Sequence, residues 1–455
     1  MKTLLLIAPP VLFGQRWWAN RIANKPHLAS LAGHVRDLAE VHTLELDGIA
    51  GEAPAGLLAQ VDQAVKELGG ADRIGLVGIS CWTSLQYLGT VAVAQRVREL
   101  APSIPIVIGG HHATAMSDDF DSATCDWLVR GDGEAALRQL CTGWPARPDA
   151  MQIIDGAPFD QSNPDGIDWA HYGRKGDRAR VLWVGASRGC AFQCHFCVEP
   201  ERGASYSGYS VQAQLDIVER LVDSHAPDVI AFSDPLFGAN RRWLEGFLDG
   251  IERRALPLMF WCETRADIVS LDVLDRFKRC RFMVDFGLDT ASETMAGRMG
   301  KAANPRLYLE RARATFHHAN AIGLHHGIYI VFNFPGETPE TVRETQTWLE
   351  SLAADTGPMA GWLSCQTFFI LPGTPAWTRR RINAETYGTE IHHPNWWRRE
   401  GDHYALATSV LPSAAWSGRE HDLTAFQAWN HAINDTWSAR YTPEVQAFRQ
   451  GFYVG

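Results

Sequence analysis

The sequence lacks the two features that most directly indicate a membrane or a nucleic acid as a partner. No apolar run approaches the ~20 residues needed to cross a bilayer. Basic residues are outnumbered, with 42 Lys and Arg against 52 Asp and Glu and a formal net charge of −10. This balance argues against nucleic acid or an anionic membrane surface as the main partner. We therefore expect neither among the partners.

The N-terminus also lacks a convincing signal peptide. The apolar residues Leu4–Ile7 follow Lys2, but Pro9 and Pro10 interrupt the run and no small-residue cleavage site follows. A short buried strand is the better interpretation. The nine cysteines have no disulfide-framework spacing, which favours a reducing compartment. We expect a cytoplasmic protein.

A length of 455 residues with 46% hydrophobic residues predicts two or three domains with full cores. Residues 1–140 alternate short apolar strands with amphipathic helices, which is typical of a doubly wound, Rossmann-like parallel sheet. The predicted strands are Leu4–Ala8, Val41–Leu46, Ile74–Ser80, Ile106–Gly109 and Trp127–Val129, and the helices between them include His27–Leu38, Leu57–Leu68 and Leu85–Leu100. Residues 141–178 are rich in Pro, Asp and Gly and predict an irregular linker.

A second β/α series occupies residues 179–375. Its predicted strands are Val181–Ala186, Val229–Ser233, Met259–Glu263, Phe282–Leu288, Gly327–Phe332 and Ser364–Phe369. Six β/α units predict an α/β fold of the partial (β/α)6 barrel type, whose loops at the carboxyl ends of the strands build the site. Residues 376–455 lose the alternation and predict a helical C-terminal cap.

Three cysteines lie directly after the first predicted barrel strand, in the segment Gly189–Cys197. The thiolates of Cys190, Cys194 and Cys197 fall within eight residues and can bind three irons of one cuboidal cluster, which leaves the fourth iron open for reaction. Zinc is the alternative, but it normally takes four protein ligands, and the sequence offers no second pair at suitable spacing. Three unrelated buried cysteines are the other alternative. The spacing favours a [4Fe–4S] cluster.

This C-x3-C-x2-C segment, with the aromatic Phe196 before its last cysteine, resembles the signature of radical S-adenosylmethionine (SAM) enzymes. The resemblance implies that SAM chelates the open iron and that one electron from the cluster cleaves it to a 5′-deoxyadenosyl radical. It also implies SAM contacts at successive strand ends, for which the candidates are Phe196, Asp234, Arg265, Asp289 and Asn333. Related enzymes usually have Glu where Asp289 stands. They also often have arginines where this chain has Tyr206 and Tyr209, which become candidates for lining the substrate pocket.

Residues 1–140 resemble the cobalamin-binding domain of the radical SAM branch that also uses vitamin B12. The matching segments are Pro26-His27-Leu28, Gly78-Ile79-Ser80, Gly109-Gly110-His111 and Gly131-Asp132-Gly133-Glu134. The candidate cobalamin contacts are Ser80, Trp82, Thr83, Gly109, Gly110, His111, Gly131, Gly133 and Glu134. The Asp-x-His-x-x-Gly motif that supplies a lower histidine ligand in many B12 proteins is absent, so we expect no histidine on the lower face of the cobalt.

The pair of cofactors, with methylcobalamin as the methyl carrier, implies methyl transfer to an unactivated carbon of a small molecule. Ring closure, rearrangement or oxidation without methylation is an alternative, and a non-catalytic B12 or redox sensor is an alternative of another class. The resemblance also implies an external electron donor such as flavodoxin or ferredoxin. The aromatic-rich cap suggests a pocket that includes Trp377 and Trp396. We expect removal of residues from 376 onward to abolish product formation and leave both cofactors bound.

Overall fold

The computed structural model describes residues 1–12, 25–46, 54–159, 167–168, 181–199, 206–357, 359, 361–408, 425, 428–432 and 434. The chain forms two compact units. The first holds the described residues up to 168 together with Asn395–Leu406. The second holds residues 181 to Pro394, Ala407 and the described residues that follow it.

The first unit is built on a six-stranded, fully parallel sheet with the strand order β2-β1-β3-β4-β5-β6. The strands are β1 (Thr3–Ala8), β2 (Glu40–Glu45), β3 (Ile74–Ser80), β4 (Ile106–Gly109), β5 (Trp127–Arg130) and β6 (Gln152–Asp155). The helices are α1 (Pro26–Gly33), α2 (Pro54–Glu67), α3 (Tyr87–Leu100), α4 (His111–Ala115) and α5 (Glu134–Gly143). The doubly wound prediction is confirmed.

Alternating residues of β1 show why helices cover both faces of this sheet. Leu5 and Ile7 belong to one buried cluster, and Leu4 and Leu6 belong to a second. Successive side chains of a strand point to opposite faces, so an almost continuous apolar strand is stable only when both faces are covered.

The prediction that residues 141–178 are an irregular linker is wrong for Gln152–Asp155, which forms β6 and pairs with β5 in parallel. This strand lies at the edge of the sheet, and three of its four side chains are exposed. An edge strand of this kind has no apolar periodicity, and for that reason the sequence pattern did not predict it.

The second unit contains a six-stranded parallel sheet whose strands follow chain order, β7-β10-β11-β12-β13-β14, and a short antiparallel pair, β8 and β9. The strands are β7 (Val181–Val184), β8 (Ser187–Arg188), β9 (Ser207–Gly208), β10 (Val229–Phe232), β11 (Met259–Thr264), β12 (Phe282–Asp289), β13 (His326–Phe332) and β14 (Gly361–Thr367). The first helices are α6 (Val211–His225), α7 (Arg241–Arg254), α8 (Leu271–Arg279), α9 (Glu293–Arg298), α10 (Pro305–Ala321) and α11 (Pro339–Thr356). This is the predicted partial barrel.

Phenylalanines pack the helices of this unit onto the outer face of its sheet. Phe260 of β11 and Phe282 of β12 stack with ring centroids 4.9 Å apart, and Phe277 of α8 lies 4.9 Å from Phe282. Aromatic pairs at this separation add about 0.5–1.5 kcal/mol beyond their buried area. These contacts hold α8 against β12.

The described part of the C-terminal region is divided between the two units and does not form a single cap. Its described helices are α12 (Pro375–Thr378), α13 (Arg380–Tyr387) and α14 (His403–Ala407). Residues Asn395–Leu406 belong to the first unit, where Trp396 and Trp397 are fully buried. Residues 435–455 lie outside the described residues. Among the residues that the structure describes, no helix has the length and apolar character that crossing a membrane requires.

Candidate active site

The three-cysteine loop begins where the chain turns sharply out of the barrel. Gly189 has a φ of +81°, a conformation that favours glycine. The carboxylate of Asp234, just after β10, accepts hydrogen bonds from the Ala186 backbone N–H, at 2.9 Å, and from the Ser187 hydroxyl. Burial raises the pKa of Asp234 to about 6. Asp234 therefore links the segment after β10 to the segment after β7, immediately before the cysteine loop.

The middle of the loop is anchored through His195. Its backbone N–H donates to the Met299 carbonyl and its Nδ1 lies 2.8 Å from the Arg298 carbonyl, while its own carbonyl accepts from the Ala376 N–H at 2.9 Å. Gly300 has a φ of +63°, and a Cβ there would lie 2.9 Å from the His195 ring. These contacts fix the backbone next to Cys194, which is buried. Burial also raises the pKa of Cys194.

Arg265 lies beneath the loop and is 5% exposed. Its Nε and Nη2 donate to the two carboxylate oxygens of Asp267 at 2.9 and 3.0 Å, and Nη2 also donates to the Lys301 carbonyl at 2.8 Å. Its Nη1 lies 3.9 Å from Cys194 Sγ. The guanidinium carbon lies 3.8 Å from the centroid of the Phe192 ring. Most of the donors of Arg265 are thus engaged within the protein.

A second buried ion pair lies at the end of β12. Lys301 Nζ pairs with Asp289, and both side chains are less than a tenth exposed. Asp289 has a φ of +62°, an uncommon conformation outside glycine that is found at functional turns. Lys301 and Arg265 both favour the thiolate form of Cys194, and Asp289 opposes it. Lys301 was not predicted from the sequence, since a single Lys after a Gly carries no distinctive signal.

Asn333 begins a tight turn after β13 and has a φ of +63°. The carboxyl group of Glu337, 3% exposed, accepts a hydrogen bond from the Asn333 backbone N–H. Burial raises the pKa of Glu337 to about 8, opposed by hydrogen bonds from the Asn333 and Phe334 backbone. Glu337 therefore stabilises the turn from inside, a role that was not predicted from the sequence.

We expect Glu337→Gln to change how stability depends on pH. The folded state keeps the proton on Glu337 up to about pH 8, whereas the unfolded chain loses it near 4.5. The stability that protonated Glu337 contributes is therefore full below about pH 4.5 and is lost as pH rises through about 8. Glutamine cannot ionise, so the melting temperature of the variant should rise relative to wild type by a few degrees between about pH 5 and pH 8.5.

Thermal unfolding at several pH values measures this difference. Glu340→Gln is the matched control, because Glu340 lies on α11 and is exposed. Parallel pH profiles for wild type and Glu337→Gln would contradict the prediction.

The remaining sequence candidates differ in position. Phe196 is half-buried in the loop. Tyr206 is half-buried and its hydroxyl bonds to Ser187, whereas Tyr209 is 5% exposed and its carbonyl accepts from Trp243 Nε1. Trp377 Nε1 donates to the Pro394 carbonyl at 3.1 Å. Phe196 thus lies within the cysteine loop, and Tyr206 contacts Ser187 just before it.

The prediction that Trp396 lines a substrate pocket is wrong. Trp396 has no exposed surface and lies in the first unit, with its ring 5.5 Å from that of His403. Burial of an indole of this size stabilises a core. The sequence could not distinguish a buried tryptophan from one that lines a cavity.

The candidate cobalamin residues lie at the carboxyl ends of β3, β4 and β5. Gly110 has a φ of +113°, and a Cβ there would lie 2.5 Å from the Cys81 carbonyl oxygen. Gly131 has a φ of +83°. Both positions have backbone conformations that favour glycine, and at Gly110 the missing side chain lets the backbone pass close to Cys81. Ligands of open α/β sheets bind at this edge.

Trp82 forms an exposed aromatic surface at the same edge. It is 43% exposed, although it is large and apolar. His27 stacks on it with an interplanar angle of 9°, and His111 meets it edge-on at 5.8 Å. Thr83, the next residue, accepts from the Leu85 N–H at 3.4 Å. The edge thus offers a flat apolar surface that fits a large planar macrocycle such as a corrin ring.

Three candidates at this edge have mainly structural contacts. Glu134 is buried and accepts from the Ser30 hydroxyl at 2.9 Å. Gly133 precedes α5, and a Cβ there would lie 3.3 Å from Leu31. Ser80 ends β3, where it pairs with Gly109. These residues set the positions of strand and helix ends around the site.

The chemistry of the loop fits an iron–sulfur cluster. Three thiols lie on one anchored loop, and Arg265 and Lys301 lie nearby to offset the negative charge of thiolates. Within the described part of the chain, no three His, Cys, Asp or Glu side chains converge as on a single metal ion. A cuboidal cluster does not require this convergence, because each thiolate binds a different iron.

Two family models match the chain. Residues 27–141 match the B12 binding domain, and residues 184–349 match the Radical SAM superfamily. The chain is a radical SAM enzyme with a B12-binding domain. Its cofactors are accordingly cobalamin, SAM and a [4Fe–4S] cluster.

Two curated relatives of this radical SAM enzyme are distant. An uncharacterized methyltransferase of Pyrococcus horikoshii is 24% identical over 381 residues, which cover 77% of this chain and 78% of the relative. The anaerobic magnesium-protoporphyrin IX monomethyl ester cyclase of Rubrivivax gelatinosus is 24% identical over 297 residues, which cover 59% of this chain and 52% of the relative.

Solved structures share the fold of this radical SAM enzyme. The radical SAM methyltransferase TsrM from Kitasatospora setae, with cobalamin and a [4Fe–4S] cluster bound, matches with a TM-score of 0.68 at 17% identity over 97% of this chain and 90% of TsrM. TsrM with tryptophan substrate and a SAM analogue gives a TM-score of 0.69 at 18% identity, over 94% and 89% of the two chains.

Proposed function

We propose that this radical SAM enzyme is a cobalamin-dependent methyltransferase that acts on an unactivated carbon of a small molecule. The observation that carries the proposal is the presence of both domains in one chain, each with candidate residues at the carboxyl edge of a parallel sheet. When bound, the cluster and SAM supply a radical and cobalamin supplies a methyl group. The methyltransferase relative and the tryptophan-bound TsrM structure support this choice of reaction and substrate class.

In this proposal the thiolates of Cys190, Cys194 and Cys197 bind the cluster. Asp234 and His195 hold the loop in place through the hydrogen bonds described above. The half-buried ring of Phe196, the Asp289 carboxylate and the Asn333 turn contact SAM, and Tyr206 lines the substrate side. An external flavodoxin or ferredoxin supplies the electron.

Cobalamin lies, in the same proposal, on the carboxyl edge of the first sheet. The backbone at Gly109, Gly110 and Gly131, which carries no side chains, lies along its tail, and the exposed Trp82 ring contacts the corrin ring. Residues 1–140 thus bind cobalamin, and residues 179–375 bind the cluster and SAM.

The test uses methyl-labelled SAM with the reduced full-length protein, loaded with cluster and cobalamin but without substrate. A methyltransferase should form about one S-adenosylhomocysteine per bound cobalamin and then stop, because the methyl group stays on the cofactor. The same protein without cobalamin is the control and should form none. Formation of 5′-deoxyadenosine alone would contradict methyl transfer, and absence of both products with and without substrate would favour a sensor.

Ring-forming oxidation is a second candidate. It is supported by the cyclase of Rubrivivax gelatinosus, whose length this chain covers to 52%. When substrate is added in a second run of this assay, a cyclase should form 5′-deoxyadenosine without S-adenosylhomocysteine.

A further inference from the structure

The surroundings of Arg265 differ from those expected of a residue that binds SAM. Its Nε and Nη2 edge is closed by the bidentate pair with Asp267, and Nη2 also reaches the Lys301 carbonyl. Its Nη1, on the opposite side, lies 3.9 Å from Cys194 Sγ, within the range of N–H···S hydrogen bonds. The sulfur therefore meets the positive side of the Arg265–Asp267 pair.

The guanidinium is also held rigidly. The Phe192 ring, from the segment between Cys190 and Cys194, stacks on it at 3.8 Å, and the Tyr308 ring of α10 lies 5.4 Å away. The Tyr308 hydroxyl is itself fixed by donation to the Leu288 carbonyl at 2.8 Å. A buried arginine with all these contacts keeps one orientation, which is the condition for a directed effect on a neighbouring ligand.

We propose that Arg265 is a positioning residue for the cluster: it orients the Cys194 thiolate and raises the reduction potential of the cluster, and it does not pair with the SAM carboxylate. The inference rests on the proposed role of Cys194 as a cluster ligand. Reduction adds negative charge to the cluster and its sulfurs. Hydrogen bonds and positive charge at a ligating sulfur stabilise that added charge, so they raise the potential.

The test compares full-length wild type, Arg265→Met, Arg265→Lys and the control Arg306→Met, each reconstituted anaerobically. Arg306 lies on the same unit and is exposed, where it pairs with Glu310. Iron content is measured first. SAM affinity is then measured in the absence of reductant, and the midpoint potential of the cluster is measured by EPR during titration with dithionite. Because Arg265→Met leaves the Asp267 carboxylate alone, the double variant Arg265→Met/Asp267→Asn is included as a form that avoids a buried lone charge.

The potential should become more negative in Arg265→Met and in the double variant, and lysine should restore part of the shift. Arg306→Met should match wild type. SAM affinity should change by less than about threefold in all variants, whereas loss of a direct carboxylate partner weakens binding by at least about tenfold.

Two results would overturn the inference. One is an unchanged potential in Arg265 variants that keep full iron content. The other is a tenfold loss of SAM affinity at an unchanged potential, which would assign Arg265 to SAM. Lack of iron in the wild-type protein would instead contradict the proposed function, so the two failures are distinguishable.

Discussion

Replacing Cys190, Cys194 and Cys197 together by alanine should remove all of the bound cluster, which amounts to about four irons and about four sulfides per chain. The hydrogen bonds that anchor the loop run through His195 and do not involve the three thiols. The variant should therefore stay folded while SAM cleavage falls to the background level. Iron and sulfide analysis and the broad visible absorbance of the cluster measure the effect.

The control for this experiment is Cys262→Ala. Cys262 lies on β11, is fully buried, and burial raises its thiol pKa well above the usual value, as expected of a packed thiol that does not bind metal. Iron content should stay at the wild-type level in this variant, and cobalamin content should stay unchanged in both. An intact cluster in the triple variant would falsify the assignment.

Trp397→Ala should destabilise the first unit by about 3–5 kcal/mol, as large-to-small changes at buried tryptophans do. Trp397 has no exposed surface, and its Nε1 donates to the carboxylate of Asp119, which Arg398 also binds. His112 packs against the same residues: its ring lies 5.6 Å from the Trp397 ring, and its Nε2 lies 3.1 Å from the Asp119 carboxylate. Removal of the indole leaves a cavity and takes one donor from a buried carboxylate.

Hydrogen exchange of the α3 and β4 amides measures this loss, because it reports the opening free energy of the first unit alone. Ile382→Ala is the control. Ile382 lies on α13 of the second unit and is 56% exposed, so it should change stability by less than about 0.5 kcal/mol. Equal protection of α3 in wild type and Trp397→Ala would contradict the prediction.

The same contacts alter the expected result of truncation. A chain that ends near residue 376 loses Trp396 and Trp397, which are buried in the first unit. Truncation should therefore lower cobalamin content as well as product formation, in contrast to the expectation from sequence that the cofactors remain bound. Loss of activity after truncation is then no evidence of a substrate cap.

Local sequence patterns were enough to predict the two sheets and the position of the cysteine loop. Leu4–Ala8 and Ile74–Ser80 are apolar enough to be strands buried on both faces, and the structure places strands at Thr3–Ala8 and Ile74–Ser80. The predicted bounds of some strands differ from those in the structure, because burial changes along the strand. The last barrel strand was predicted from Ser364 but begins at Gly361, because Gly361 and Trp362 carry no period-2 signal of their own.

Periodicity and spacing are local properties of the chain, and they were enough to predict the fold class, the two cofactor domains and the three-cysteine motif. The contacts of each polar or aromatic side chain depend instead on the tertiary structure. It paired Arg265 with Asp267 and Cys194, paired Lys301 with Asp289, and buried Trp396 in the first unit. Asp289 and Lys301 are twelve positions apart, and Arg265 and Cys194 are seventy-one. Contacts over such separations depend on how the strands assemble, because no local pattern specifies which distant side chains will meet.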